Sequence, residues 1–188
     1  MKIFVNFQPT TEASGGGNQF LKNLIKYLTQ KNLITNKPTD ANIILFNSHH
    51  NVKDLYKYKQ LNPSLKFVHR VDGPHLWRTD NTDEVVFYYN RMFANGTIFQ
   101  SQYSKEKTIQ CGFIFNQPST IIPNAVDTEI FYPSKSTGLF SFETKSAQKK
   151  IFTNKIRIIT TSWSDNIQKG FDYYQKLDEK LDYFKYEM

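Results

Sequence analysis

Two places in the sequence combine reactive side chains with a spacing that suggests chemistry, and both lie where a β-rich run gives way to a loop. The first is Phe67-Val68-His69-Arg70-Val71-Asp72-Gly73-Pro74. A neutral imidazole at His69 can donate to a ligand hydroxyl or a backbone carbonyl near neutral pH. The same lone histidine can equally be a strand-end residue whose hydrogen bonds are satisfied internally. Asp72, in a loop closed by Gly-Pro, can accept from ligand hydroxyls or shape the turn through its own backbone. Arg70 alternates with His69 along the strand and so points the other way, toward a carboxylate or phosphate.

The second place follows the first β-rich run. Gln8 to Asn18 carries Gly15, Gly16 and Gly17 and leads directly into a stretch of helical period. Glycines there let the backbone approach a ligand closely, and the unpaired N–H groups of a helix start face whatever is bound. Such a loop suits an anion or a polar, hydroxylated ligand, with Gly15, Gly16, Gly17 and Asn18 as the contacts. It is not a dinucleotide fingerprint, because Phe20 stands where the last glycine would be, and it lacks the Lys-Ser/Thr ending of a triphosphate loop. A turn in which Ser14 or Asn18 caps the helix is the structural alternative.

Other reactive residues carry less. His49 and His50 are adjacent, so they lack the i, i+4 spacing of a helical zinc site, and no metal site is expected. Asp83 and Glu84 are too close in sequence for a paired-carboxylate acid/base system. The single cysteine, Cys111, leaves no internal disulfide and points to a reducing compartment, with the cytoplasm as the default. Asn95-Gly96-Thr97 matches a glycosylation sequon but runs into an expected buried strand.

Lys and Arg exceed Asp and Glu by 24 to 17, a net charge of +7, which favours anionic partners. The lysines are scattered singly, and no basic tract interleaves with stacking aromatics, so a nucleic-acid partner is not expected. Peripheral membrane contact stays open, although no amphipathic basic helix calls for it.

The elements that must position these residues follow from periodicity. Strand-like runs at Lys2 to Phe7, Asn42 to Asn47, Leu65 to Val71, Gly96 to Gln100 and Ser119 to Ile122 alternate with helical stretches. Those stretches are Gly17 to Lys31, Val52 to Leu61, Asp83 to Phe93 and Ser101 to Gly112. Strands separated by helices require crossovers, hence an α/β fold with a doubly wound, mostly parallel Rossmann-like sheet and helices on both faces. In the first helix Phe20, Leu21, Leu24, Ile25 and Leu28 form the sheet-facing stripe. Ser101 and Ser104 read as helix caps, and Asn124 and Asp127 as turn residues after the last strand. Residues 1–133 read as one domain, 134–154 as a linker, and 155–188 as a strand and a helix of a further domain. With 188 residues, one α/β domain of ordinary size is accommodated.

The segment Ser119-Thr120-Ile121-Ile122-Pro123-Asn124-Ala125-Val126-Asp127-Thr128-Glu129-Ile130-Phe131-Tyr132-Pro133 closely resembles the end of the N-terminal domain of family 4 retaining glycosyltransferases of GT-B fold, with Ala125 in place of the usual glycine. Ser162 to Phe171, with Lys169-Gly170-Phe171, is similar to the loop and helix start that open the donor domain of that family. The loop at Gly15 to Gly17, the segment Phe67 to Pro74, and Ile98-Phe99-Gln100-Ser101-Gln102-Tyr103-Ser104-Lys105 resemble further family segments in the expected order. The resemblance spans nearly the whole chain.

It implies transfer of a sugar from a nucleotide-diphosphate donor to a hydroxyl acceptor, glycan or lipid-linked, with retention and with no cofactor or obligatory metal. It places His69 and Asp72 at the catalytic cleft, Arg70 and Asn124 among substrate-binding residues, and Lys169 on the donor pyrophosphate. Trp163 stands where the family carries an arginine. The late glutamate pair of a complete donor domain is absent, so the 188-residue chain alone is expected to be inactive unless a second chain supplies that half. The alternative is a non-catalytic sugar- or nucleotide-binding module derived from such an enzyme.

Overall fold

The computed structural model describes residues 1–11, 15–74, 80–115, 117–125, 127–129, 156–157, 170–180 and 186–187. They fall into two compact units, Met1–Glu12 with Gly16–Asp127, and Ala13–Gly15 with Thr128–Met188.

In the first unit the strands are β1 (Ile3–Val5), β2 (Ile43–Asn47), β3 (Lys66–Val71), β4 (Gly96–Phe99) and β5 (Ser119–Ile121). They form an all-parallel sheet in the order β1-β2-β3-β4-β5. The helices are α1 (Gly16–Gln30), α2 (Asp54–Leu61), α3 (Thr82–Phe93) and α4 (Gln102–Gln110), with a 3₁₀ turn at Pro38–Asp40.

The doubly wound character depends on a short stretch that the periodicity did not reveal. Ile3 forms a parallel bridge with Ile34, its N–H donating to the Leu33 carbonyl and its own carbonyl accepting from Thr35. Lys2 and Asn6 instead bond β2 and the residues beside it. Alternate residues of a strand bond to opposite sides, so residues 33–35 lie on the edge of β1 away from β2. The chain thus first steps outward from β1 and then returns across it to β2. Right-handed crossovers in two directions put α1 on one face and the following helices on the other.

The core clusters agree. Leu21, Leu28, Phe20, Leu24 and Ile25 of α1 pack with Val5, Leu45, Val68 and Ile98. On the opposite face Leu55 of α2, and Val85, Tyr89 and Phe93 of α3, pack with Ile44, Phe46 and Phe67. The outward step is made by a C-terminal cap on α1. Asn32 takes φ 53°, Asn32 N–H donates to Thr29 and Leu33 N–H to Leu28, and Leu33 packs on the Leu28 cluster. Gly112, at φ 88°, ends α4 in the same manner.

Ser101 caps α4 as expected, its Oγ accepting from the Ser104 N–H at 3.0 Å, and Ser101→Ala should cost about 1 kcal/mol in a urea melt. Ser104 is not a cap: its hydroxyl donates to the Asp72 carbonyl at 3.0 Å.

In the second unit β6 (Ile156–Arg157) pairs in parallel with β7 (Tyr186–Glu187), and α5 spans Phe171–Lys180. The strand expected from Lys155 and the helix expected from Gly170 are present in these residues, whereas β7 was not anticipated. No helix among the described residues is long and apolar enough to cross a membrane.

Candidate functional site

In a parallel sheet every strand delivers its last residue to the same edge, and here that edge is lined with amides. Asn6 follows β1, Asn47 ends β2, Gln100 follows β4, and Asn124 lies three residues beyond β5. Arg70, one residue from the end of β3, is the group they gather around.

Arg70 has no exposed side-chain surface. Alternation along β3 turns it toward α1, where its guanidinium lies 4.3 Å from the Phe20 ring centroid. Its Nη1 donates to Asn47 Oδ1 at 2.8 Å and to Asp72 Oδ1, and its Nη2 donates to Asn124 Oδ1 at 2.9 Å and to Gln100 Oε1 at 3.5 Å. A buried guanidinium needs its charge answered and its N–H groups occupied. Asp72 supplies the charge, the amides take the remaining forks, and Nε alone has no hydrogen-bond partner among the described residues.

Asp72 is held in turn. Its carbonyl accepts from Ser104 Oγ and from Gln100 Nε2, and its second carboxylate oxygen accepts from Asn47 Nδ2 at 3.4 Å. Gly73 makes this loop fit: at φ 121° it adopts a backbone that other residues avoid, and a Cβ there would stand 3.0 Å from Ser104 Oγ. The Asp72 side chain keeps 27% of its surface exposed, so its carboxylate opens outward while the arginine behind it does not.

The start of α1 closes the other side. A Cβ on Gly17 would lie 3.6 Å from Asp72 Oδ2 and 3.7 Å from Arg70 Nη1, and one on Gly16 would lie 3.6 Å from Asn124 Nδ2. Those are ordinary contacts, and neither glycine has a positive φ. Alanine would therefore fit both positions and suit a helix better. Asn18 lies inside the first turn of α1 and not at its N-cap position. It is buried and secures the preceding loop, accepting from the Thr10 N–H at 2.9 Å and donating to the Thr10 carbonyl at 3.3 Å. Gly15 falls in the second unit.

His69 goes to the opposite face. It is fully buried, stacked on Phe46 with centroids 4.1 Å apart. Its Nε2 lies 3.0 Å from the Ser48 carbonyl, and its Nδ1 lies 3.0 Å from Asn90 Nδ2. A carbonyl only accepts, so Nε2 carries the proton and Nδ1 accepts from Asn90. Burial pushes its pKa down from 6.5 to about 3, with the Ser48 hydrogen bond opposing only part of that shift. This geometry is that of the internally satisfied strand-end histidine, and it keeps His69 away from the Arg70–Asp72 cluster. Asn90 continues the network to Thr97, at 2.9 Å, and to Gln117.

The expected residues thus divide. Gly16, Gly17, Arg70, Asp72 and Asn124 come together; His69 turns to the opposite face; Asn18 bonds the loop at Thr10; Gly15 falls in the second unit; and Lys169 lies outside the described residues. Asp127 anchors the segment after β5 to α1 through an ion pair with Lys26 at 2.9 Å. Asn47 and Gln100 were not singled out from sequence, though each is an amide closing an apolar run, a signal readable at four of the five strands of this sheet. Among the described residues no group of three or more His, Cys, Asp or Glu side chains could hold a metal ion. Compared with protein-family models, curated proteins and solved structures, the chain has no match in any of the three.

Proposed function

We propose that the first unit is the acceptor-side domain of a retaining, nucleotide-sugar-dependent glycosyltransferase, and that its crevice holds the hydroxyls of a sugar acceptor. The observation that carries this reading is the pair Gly16 and Gly17. Among the described residues neither backbone conformation nor packing requires glycine there, yet both positions stay bare beside the Asp72 carboxylate and Asn124. Space kept clear at the cost of helix stability is space for a ligand.

The polar groups favour a neutral, hydroxylated ligand over a phosphate. Arg70 has its charge answered by Asp72 and its forks filled by amides, so it acts as the support that orients the carboxylate. Asp72, Gln100 and Asn124 then present acceptors and donors to hydroxyls, and the α1 N-terminus adds backbone donors. The edge lies at the carboxyl ends of parallel strands beside the switch in winding, where open α/β sheets bind ligands. The ordered family-like segments supply the reaction class, with Lys169 assigned to the donor pyrophosphate.

Gly17→Ala tests the reading directly. The substitution is expected to raise unfolding free energy by about 0.5–1 kcal/mol. It should also weaken binding of methyl α-glucoside, methyl α-mannoside or methyl β-galactoside, whichever binds, in a calorimetric or NMR titration. Unchanged binding in both Gly17→Ala and Asp72→Ala would remove the crevice from consideration.

A further inference from the structure

Resting on that reading of the crevice, we propose that the turn Ser48–Asn51 forms its second wall and that the rings of Phe7, His50 and His49 make a shelf for the apolar face of a bound sugar. The turn follows β2 and leads toward α2, whereas the loop after β1 leads to α1 on the other face. The two loops diverge at the switch in winding, leaving the opening between them that a ligand occupies in folds of this kind.

The turn is held in a conformation that Ser48 does not favour. Ser48 has φ 49°, in the left-handed region that a serine rarely enters, and Asn51, of a type that tolerates it, has φ 52°. Such backbone persists only where the surroundings over-determine it. Here the Ser48 N–H donates to the Arg70 carbonyl at 2.8 Å, and the Ser48 carbonyl accepts from His69 Nε2 at 3.0 Å. The Asn51 carbonyl accepts from Asn6 Nδ2 at 3.0 Å, and Asn51 Nδ2 donates back to the Asn6 carbonyl at 3.4 Å. His69 therefore acts as a positioning residue for this turn.

What the turn presents is a run of rings. His49 and His50 have centroids 4.2 Å apart with their planes tilted by 35°, and His50 lies 5.1 Å from Phe7, two residues beyond β1, at a tilt of 59°. Ser48 Oγ shares a hydrogen bond of 3.2 Å with His49 Nδ1, fixing that ring. Phe7, His49 and His50 are each half-buried. A sugar ring has an apolar C–H face and a polar rim, which calls for aromatic surface on one side and hydroxyl partners at the edge. The ring shelf meets the first demand, and the Asp72–Gln100–Asn124 cluster meets the second.

The test uses the full chain labelled for NMR and titrated with the three methyl glycosides, reading the imidazole C–H signals of His49 and His50 beside the Gly16 and Gly17 amides. At least one glycoside is expected to move both sets, and His49→Ala/His50→Ala is expected to weaken its binding by roughly tenfold. Movement of the glycine amides alone, with wild-type affinity in the histidine variant, would overturn the shelf while leaving the crevice reading intact. Movement of the imidazoles alone would keep the shelf and remove the glycine crevice. If no glycoside moves either set, both fall. The wild-type imidazole signals decide even where the variant does not fold.

Discussion

Asp72→Ala is expected to lower the unfolding free energy of the domain by about 3 kcal/mol, the largest stability loss of any single change at the site. The reason lies in Arg70, which remains fully buried when its carboxylate partner is removed. Asn47, Asn124 and Gln100 still accept from the guanidinium, but amides answer hydrogen bonds and not charge. The starting arrangement has little in reserve, because Arg70 Nε already lacks a partner among the described residues. The double variant Arg70→Met/Asp72→Ala separates charge from hydrogen bonding. Removing the arginine leaves Asn47, Asn124 and Gln100 each without one donor but takes away the uncompensated charge. It should therefore recover about 1–2 kcal/mol of the loss. Urea melts with an unchanged slope give the comparison. A double variant no more stable than Asp72→Ala would show that the buried charge was not the source of the loss. Glycoside binding should not return in the double variant, so stability and binding part company.

That coupling also shows how far the sequence can be read. Strand-helix alternation located every element of the first sheet to within a few residues, because buried parallel strands are short apolar runs and α1 carries a clear stripe. The stretch at residues 33–35 escaped because a single bridge has no period, and yet it sets the two-way winding. At the site, Gly16 and Gly17 were legible from position, and so was the opposite facing of His69 and Arg70. Which of those two faces the crevice was not legible. Alternation says only that they part, and the choice falls to α1, whose Phe20 covers Arg70 while Phe46 stacks on His69. Asn18 was placed by type, as a cap or ligand contact, but a loop bonding back to Thr10 leaves no local pattern. The amides at the strand ends were visible throughout. They carried no weight because a lone Asn or Gln after an apolar run reads as an ordinary turn residue. Only the convergence of four strands on one edge turns them into a set.

His69 makes the second large effect, and its sign follows from burial. The folded state holds the imidazole neutral with its pKa near 3, whereas the unfolded chain protonates it near the ordinary 6.5. Between those values the unfolded state binds the extra proton, so stability rises with pH across the window and is lost on acidification. The contribution is complete above pH 6.5 and declines by about 1.4 kcal/mol per pH unit below it, down to about pH 3. Its neighbours Phe46, Ser48 and Asn90 carry no titrating group, so desolvation sets the shift. Acidic residues elsewhere titrate in the same range, and the comparison must therefore be differential. His69→Gln is expected to be less stable than wild type at pH 7.5 by about 1–2 kcal/mol, through lost stacking and hydrogen bonding. Its acid limb should be shallower by one proton, so the two stability curves meet about one pH unit below 6.5 and cross on further acidification. Parallel curves from urea melts across that range would sink the assignment. Protonating His69 also turns Nδ1 into a donor facing the Asn90 amide nitrogen, itself a donor. Either that amide rotates, breaking its bonds to Thr97 and Gln117, or the imidazole withdraws from the Ser48 carbonyl. In the second case the strained turn loses one of its supports, and glycoside affinity should fall over the same acidic window in which stability does.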